Sequence, residues 1–227
     1  MCGRYTLTMS GERLAEHFGF PELTAAGGRY NIAPGQPIWT LASEDGSPPV
    51  PREFGWGLVP FWAKETKIGY RMINARAETV AEKPAYRQPY KRRRCLVLAD
   101  GYYEWRASPA GKQPYFITFE DRRPFAFAGL WDTWKNPADG NDLRSTCTLL
   151  TTAATPELAE IHDRMPVVLN DTGADSWLEM GSTDPLPALL ARLPTLPLTA
   201  WPVSRHVNSP EHDDADCITP IDLAQDG

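Results

Sequence analysis

The sequence predicts a single α+β domain, residues 1–227, in which an antiparallel or mixed, barrel-like β core carries a few short helices. Three observations lead there. Short β-rich runs dominate the chain: "QPIWTLAS", "EFGWGLV", "CLVLADGYYEW", "PYFITFE", "PFAFAGLWDTW", "STCTLLTT" and "LTAWPVS". They do not alternate regularly with helical segments, which argues against a parallel βαβ fold. Gly and Pro are scattered through the chain without a repeat or a low-complexity block, so no domain boundary is marked.

Four segments carry helix signals. "SGERLAEHFGF" offers Ser10 as N-cap and apolar residues at helical spacing. "TPELAEIH" has Thr155 as N-cap and Pro156 at the first helical position. "TGADSWLEM" and "PLPALLARL" predict two further short helices. The strand-like "YRMI" leads into "INARAET".

Composition narrows the function classes. The chain is 42% hydrophobic and 23% charged, as in ordinary soluble globular proteins. Apolar runs such as "PVVL" and "CLVLA" are too short to span a membrane. No basic region followed by an apolar stretch opens the chain, so a cytoplasmic protein is expected. The four cysteines form no CxxC pair, which predicts four free thiols, with Cys95 and Cys147 as core residues. "EHDDADC" lacks metal-ligand spacing, and no metal is expected there. His17 reads as structural.

The net charge of −6 hides a segregation. Residues 1–107 hold 15 Lys/Arg against 11 Asp/Glu, a balance of +4, and residues 108–227 hold 8 against 18, a balance of −10. Such a split can build one positive face suited to nucleic acid. "YKRRRC" is the densest positive run, and it reads equally well as a solvated loop before a strand.

The polar candidates are individually ambiguous. Asn74 in "INARAET" suits a turn or cap as well as a site. Glu104 in "GYYEWR" is either an exposed strand carboxylate or an acid whose pKa is raised by desolvation among aromatics. His162 in "IHDRMPVVL" is either a C-cap or a proton-transfer group favoured as imidazolium by the helix end. Trp56 reads as core, whereas Trp62 sits in a Pro/Gly loop where a ring can stack on a base. Arg4, Arg71, Arg76 and Arg164 are candidate phosphate partners. Cys2 directly follows the initiator methionine, so removal of Met1 would leave an α-amine and a thiol on adjacent carbons.

The stretches "MCGRYT", "YNIAPGQ", "WGLVPFWA", "INARAET", "RCLVLADGYYEW", "AFAGLWDTW", "TLLTTAA", "IHDRMPV" and "VNSPEHDDADC" together resemble the SRAP family, the abasic-site processing proteins also called SOS response-associated peptidases. Leu98, where proline is usual, and Ala154, where asparagine is common, depart from the family pattern. The resemblance implies a single SRAP-fold domain that crosslinks to abasic sites in single-stranded DNA. It assigns Cys2 as the nucleophile after Met1 removal, Glu104 and His162 as proton-transfer groups, and Asn74 as an orienting group. It implies DNA contacts by Arg4, Asn31, Trp62 and Arg76, to which Arg71 and Arg164 are added as further expected contacts. It further implies no metal or organic cofactor, no membrane, a monomer associated with the nucleoid when DNA-bound, self-removal of Met1, and weak lyase activity. A cysteine peptidase with Cys2 as nucleophile, His162 as base and Glu104 as orienter is the alternative.

Overall fold

The computed structural model describes residues 2–109, 111–179 and 196–223, together with Leu186 and Leu190. In chain order the elements are β1 (Tyr5–Ser10), α1 (Gly11–Phe18), β2 (Gly27–Ile32), β3 (Pro37–Ala42), β4 (Val50–Trp56), β5 (Asn74–Arg76), α2 (Arg87–Arg92), β6 (Arg94–Ala99) and β7 (Gly101–Ser108). Then follow β8 (Gly111–Phe119), β9 (Phe125–Lys135), β10 (Leu143–Ala153), α3 (Pro156–Ala159), β11 (Arg164–Pro166), β12 (Val168–Leu169), α4 (Asp171–Leu178) and β13 (Leu198–Pro202).

The expected α+β architecture with a barrel-like core is what forms. Strands β10, β4, β3, β6 and β9 pair in that order, and β9 pairs back onto β10, closing a five-stranded ring. Pairing within it is mixed, because β4 and β10 run parallel while the other pairs are antiparallel. Closure leaves these strands without open edges. A second sheet, in the order β13-β8-β7-β1-β2, packs beside the barrel. The six residues "RCLVLA" of β6 are all buried, as expected of a strand covered on both faces. At the junction, Tyr5 of β1 stands edge-on to Trp56 at 5.3 Å and to Phe127 at 5.7 Å. Such pairs add about 1 kcal/mol each beyond area burial.

The run "CLVLADGYYEW" is two strands in two sheets, turning at Asp100. That buried carboxylate accepts from Thr6 Oγ1 (2.6 Å), Thr8 Oγ1 (2.8 Å), Met9 N (2.9 Å) and Thr8 N, stapling β1 to the corner between β6 and β7. Asp100→Ala strands these donors and is expected to cost about 3 kcal/mol or more. The denaturant midpoint measures it, and an unchanged midpoint overturns the staple.

Several local expectations need correction. "YRMI" is not a strand: Thr66–Arg71 winds as a 3₁₀ turn, and pairing begins at Asn74. The turn nests against Gly57, whose φ of +129° and contact with Gly69 exclude a side chain: a Cβ there would lie 2.6 Å from Gly69 O. The helix from Thr155 stops at Ala159, so His162 lies beyond it, its N–H donating to Leu158 O at 3.1 Å. Helices α1 and α4 match "SGERLAEHFGF" and "TGADSWLEM"; "PLPALLARL" lies outside the described residues except for Leu186 and Leu190. Cys95 and Cys147 are buried and unbridged, as are Cys2 and Cys217. No helix among the described residues is long and apolar enough to cross a membrane.

Candidate functional site

Backbone pairing gathers the four expected site residues. Tyr5 of β1 pairs with Tyr102 of β7, and Tyr103 N donates to Arg4 O at 3.0 Å. Continuing that antiparallel register brings the residues just before β1 alongside Glu104. On the barrel, β5 and β11 flank the C-terminal end of β10: Thr151 lies opposite both Arg76 and Pro166. This delivers Asn74 from one side and the His162–Arg164 segment from the other.

The side chains then interlock. Asn74 Nδ2 donates to Cys2 O at 2.7 Å, while its Oδ1 is buried with no hydrogen-bond partner. A lone buried acceptor of this kind is costly unless a ligand completes it. Cys2 is 0% exposed and its thiol donates to Arg4 O at 3.6 Å. Burial, and next the charge of Glu104, push the thiol pKa well above its ordinary value. Glu104 is itself 3% exposed, and burial raises its pKa; the nearby His162 pulls the other way. The raised acid matches the sequence expectation, but by another route. Side chains alternate along a strand, so Tyr103 and Trp105 face the second cluster with Phe116. Tyr102, two residues before Glu104, shares its face and the main core.

The His162 backbone N–H closes the helix end on Leu158 O, while its ring turns to the Arg164 backbone. Its Nδ1 lies 3.0 Å from Arg164 N, a donor, and 3.2 Å from Arg164 O, an acceptor, so the neighbouring backbone can meet either tautomer. Asp163 Oδ1 lies 3.0 Å from the same Nδ1, ready to pair with the protonated form. Sequence reasoning missed Tyr5 and Tyr102, whose buried hydroxyls have no partner and whose pKa values are raised first by burial and also by Cys2. The signal was the period-two relation of Tyr102 to Glu104.

The six expected DNA contacts divide. Trp62 is 50% exposed and, with Lys64, Lys67, Ile68 and Arg71, lines a groove of about 440 Å³. Phe61 and Tyr70 are also exposed here, and Arg76 is exposed on β5. The loop is firmly seated: Val59 N donates to Thr146 Oγ1, Phe61 N to Asp132 Oδ2, and Trp134 Nε1 to Ala63 O. Arg164 is instead bound to both oxygens of Glu78 and to Thr151 O. Asn31 is 0% exposed, and its amide donates to the carbonyls of Val207, Ser209 and His212. Arg4 donates to Asn31 Oδ1, Val207 O and Asn208 O. Both residues hold the C-terminal tail, and Asn31 has no surface with which to touch DNA. In "YKRRRC" Lys91 and Arg92 are exposed, but the three arginines are engaged within the protein. Arg92 pairs with Asp45, Arg93 with Glu44 and Asp132, and Arg94 is buried between Tyr90 and Trp177.

Comparisons with known proteins place the chain among relatives. The chain is similar to the abasic site processing protein YoqW of Bacillus subtilis, 43% identical over 224 residues, covering 96% of this chain and 99% of the relative. It is 36% identical over 202 residues to the abasic site processing protein HMCES of Gallus gallus, of which 60% is covered. A crystal structure of a protein from Bacteroides thetaiotaomicron superposes with a TM-score of 0.84 at 25% identity, covering 97% of this chain and all of that one. The profile of the SOS response associated peptidase family matches residues 1–210. The chain belongs to the SOS response associated peptidase (SRAP) family.

Proposed function

We propose that the chain recognises abasic sites in single-stranded DNA and links itself to them through a thiazolidine at Cys2 once Met1 has been removed. The observation that carries the reading is the convergence of Asn74, Glu104 and His162 around Cys2, with the Asn74 amide on the Cys2 carbonyl. The names of the relatives, abasic site processing proteins, support the same lesion.

The chemistry follows from the groups present. An abasic deoxyribose opens to an aldehyde. The freed α-amine of Cys2, with a pKa of about 8, is partly neutral near pH 7 and adds to the aldehyde carbon. Loss of water gives an imine, and protonated Glu104, favoured by burial, supplies the proton that lets hydroxide leave as water. Cys2 Sγ then bonds to the imine carbon, its proton leaves, and the former imine nitrogen gains one. A five-membered ring results. Asn74 Oδ1 accepts from the amine or a sugar hydroxyl, and His162 exchanges protons during ring opening and reversal. An imine also permits β-elimination, so slow strand cleavage accompanies the main reaction. Trp62 stacks on a neighbouring base, and Arg71 and Arg76 meet phosphates. A peptidase reading, including self-removal of Met1, requires a Cys2 thiolate, which burial and Glu104 both disfavour.

Incubation of the processed protein with abasic and intact oligonucleotides, followed by a denaturing gel, tests the reading. A shifted band with abasic DNA alone is expected. Peptide cleavage without any adduct would favour the peptidase. Non-covalent binding should fall with salt, with a log–log slope of about −0.7 per phosphate contact. Arg76→Ala should reduce that slope by about one contact; a slope near zero in the parent protein shows that the basic groove is unused.

A further inference from the structure

Away from the Cys2 site, three side chains of different chemistry converge in the C-terminal tail. His206 Nε2 lies 3.1 Å from Asp214 Oδ2, and with Cys217 Sγ these atoms all fall within 4.8 Å of one another. Two short 3₁₀ turns, Arg205–Asn208 and Ala215–Ile218, bring them together across a sequence spacing that matches no zinc motif. The geometry is held in place before any ligand arrives. Asp214 Oδ1 accepts from Asp216 N at 3.0 Å, which aims Oδ2 at His206. The His212 ring lies flat on that of His206, with centroids 3.7 Å apart and planes 6° apart, and its Nδ1 is 2.6 Å from His206 O. Cys217 sits in the buried floor with Val203 and Val207.

We propose that His206, Asp214 and Cys217 form a binding site for a divalent cation of the zinc type. Imidazole, carboxylate and thiolate together suit Zn²⁺, whereas an all-oxygen set would suit calcium or magnesium. On binding, Cys217 loses its proton as the metal–sulfur bond forms. His206 binds through Nε2, which requires its proton to sit on Nδ1. The fourth position is left to water. The partners that orient Asp214 and His206 are of the kind that fix ligands in metal sites. The cation would brace the same tail that Arg4 and Asn31 hold, and to which Trp105 Nε1 donates at Asn208 Oδ1 (2.9 Å). Arg4 and Trp105 are near neighbours of Cys2 and Glu104 in the chain, but the proposal is independent of any DNA chemistry.

The test is cobalt titration of the chelator-treated full chain, in a Cys2→Ala background that removes the competing terminal thiol. One equivalent of Co²⁺ should give a near-ultraviolet thiolate charge-transfer band and visible bands of tetrahedral intensity, all abolished by Zn²⁺. Cys217→Ser should remove the charge-transfer band. Because Cys217 is buried, His206→Ala and Asp214→Asn provide variants nearer the surface, each expected to weaken Zn²⁺ binding roughly 10–100-fold or more. Absence of the charge-transfer band in the Cys2→Ala protein overturns the proposal. So does its persistence in Cys217→Ser, or unaltered Zn²⁺ affinity in both surface variants.

Discussion

Cys2→Ala yields no heat-stable DNA adduct, while its non-covalent affinity for single-stranded DNA is unchanged. The alanine variant keeps an α-amine at the same place, still facing Asn74 and Glu104, so an imine can form. Without sulfur the ring cannot close, and the imine hydrolyses on heating. Borohydride reduction before denaturation should therefore recover a band that is absent without it. The parent protein should need no reductant. Intact-mass measurement belongs to the same experiment, because active protein must begin at Cys2. A heat-stable adduct from unreduced Cys2→Ala protein sinks the ring-closure step. Fully retained Met1 in crosslinking protein removes the amine from the mechanism altogether.

Glu104→Gln slows adduct formation or reversal by roughly 10²–10⁴-fold, the usual loss for a missing general acid or base. It also makes the protein more stable at pH above the raised folded pKa of Glu104. Burial raises the folded pKa of Glu104 above its unfolded value. The protonated carboxyl therefore favours folding below the unfolded pKa, about 4.3, and that contribution disappears as pH rises through the folded value. Above that folded value the wild type carries a buried carboxylate that glutamine does not. The melting temperature of the variant should exceed that of the wild type there, and the gap should close as pH falls toward 4. A stability gain coupled to an activity loss marks a group retained for chemistry. Wild-type crosslinking rates in a protein that melts lower at every pH would assign Glu104 to structure. His162→Ala should share the kinetic defect without the gain in melting temperature.

The residues legible in the sequence were those whose role depends on near neighbours in the chain. The desolvation of Glu104 followed from its aromatic surroundings, although alternation along β7 selects Tyr102 rather than Tyr103 and Trp105. Burial of Trp56 and exposure of Trp62 followed from the Pro/Gly loop between them. What the sequence concealed were partners distant in the chain. Arg4 and Asn31 are indistinguishable from surface residues until the tail some 175 to 205 positions away arrives to accept their hydrogen bonds. The arginines of "YKRRRC" find Asp45, Glu44, Asp132 and Trp177, none of them adjacent in sequence. Strand β1 was missed although Tyr5, Leu7 and Met9 alternate with Thr6, Thr8 and Ser10, a period-two signal; its pairing with β2 and β7 is what could not be read locally.

The clamp between Arg4 and the tail also sets an order of events during synthesis. Arg4 bonds to Val207, 203 residues later, and Arg29 to Asp213, 184 residues later. The first strand thus leaves the ribosome long before its last partners exist. At about 5–20 residues per second, some ten to forty seconds separate the two. Through that interval Arg4 and Arg29 lack these partners. Cys2 packs in the main core with Tyr5 and Tyr102, whereas Val203, Val207 and Cys217 of the tail form a separate cluster. Both clamps can therefore close only when the end of the chain has been made, and the first strand waits for them until then.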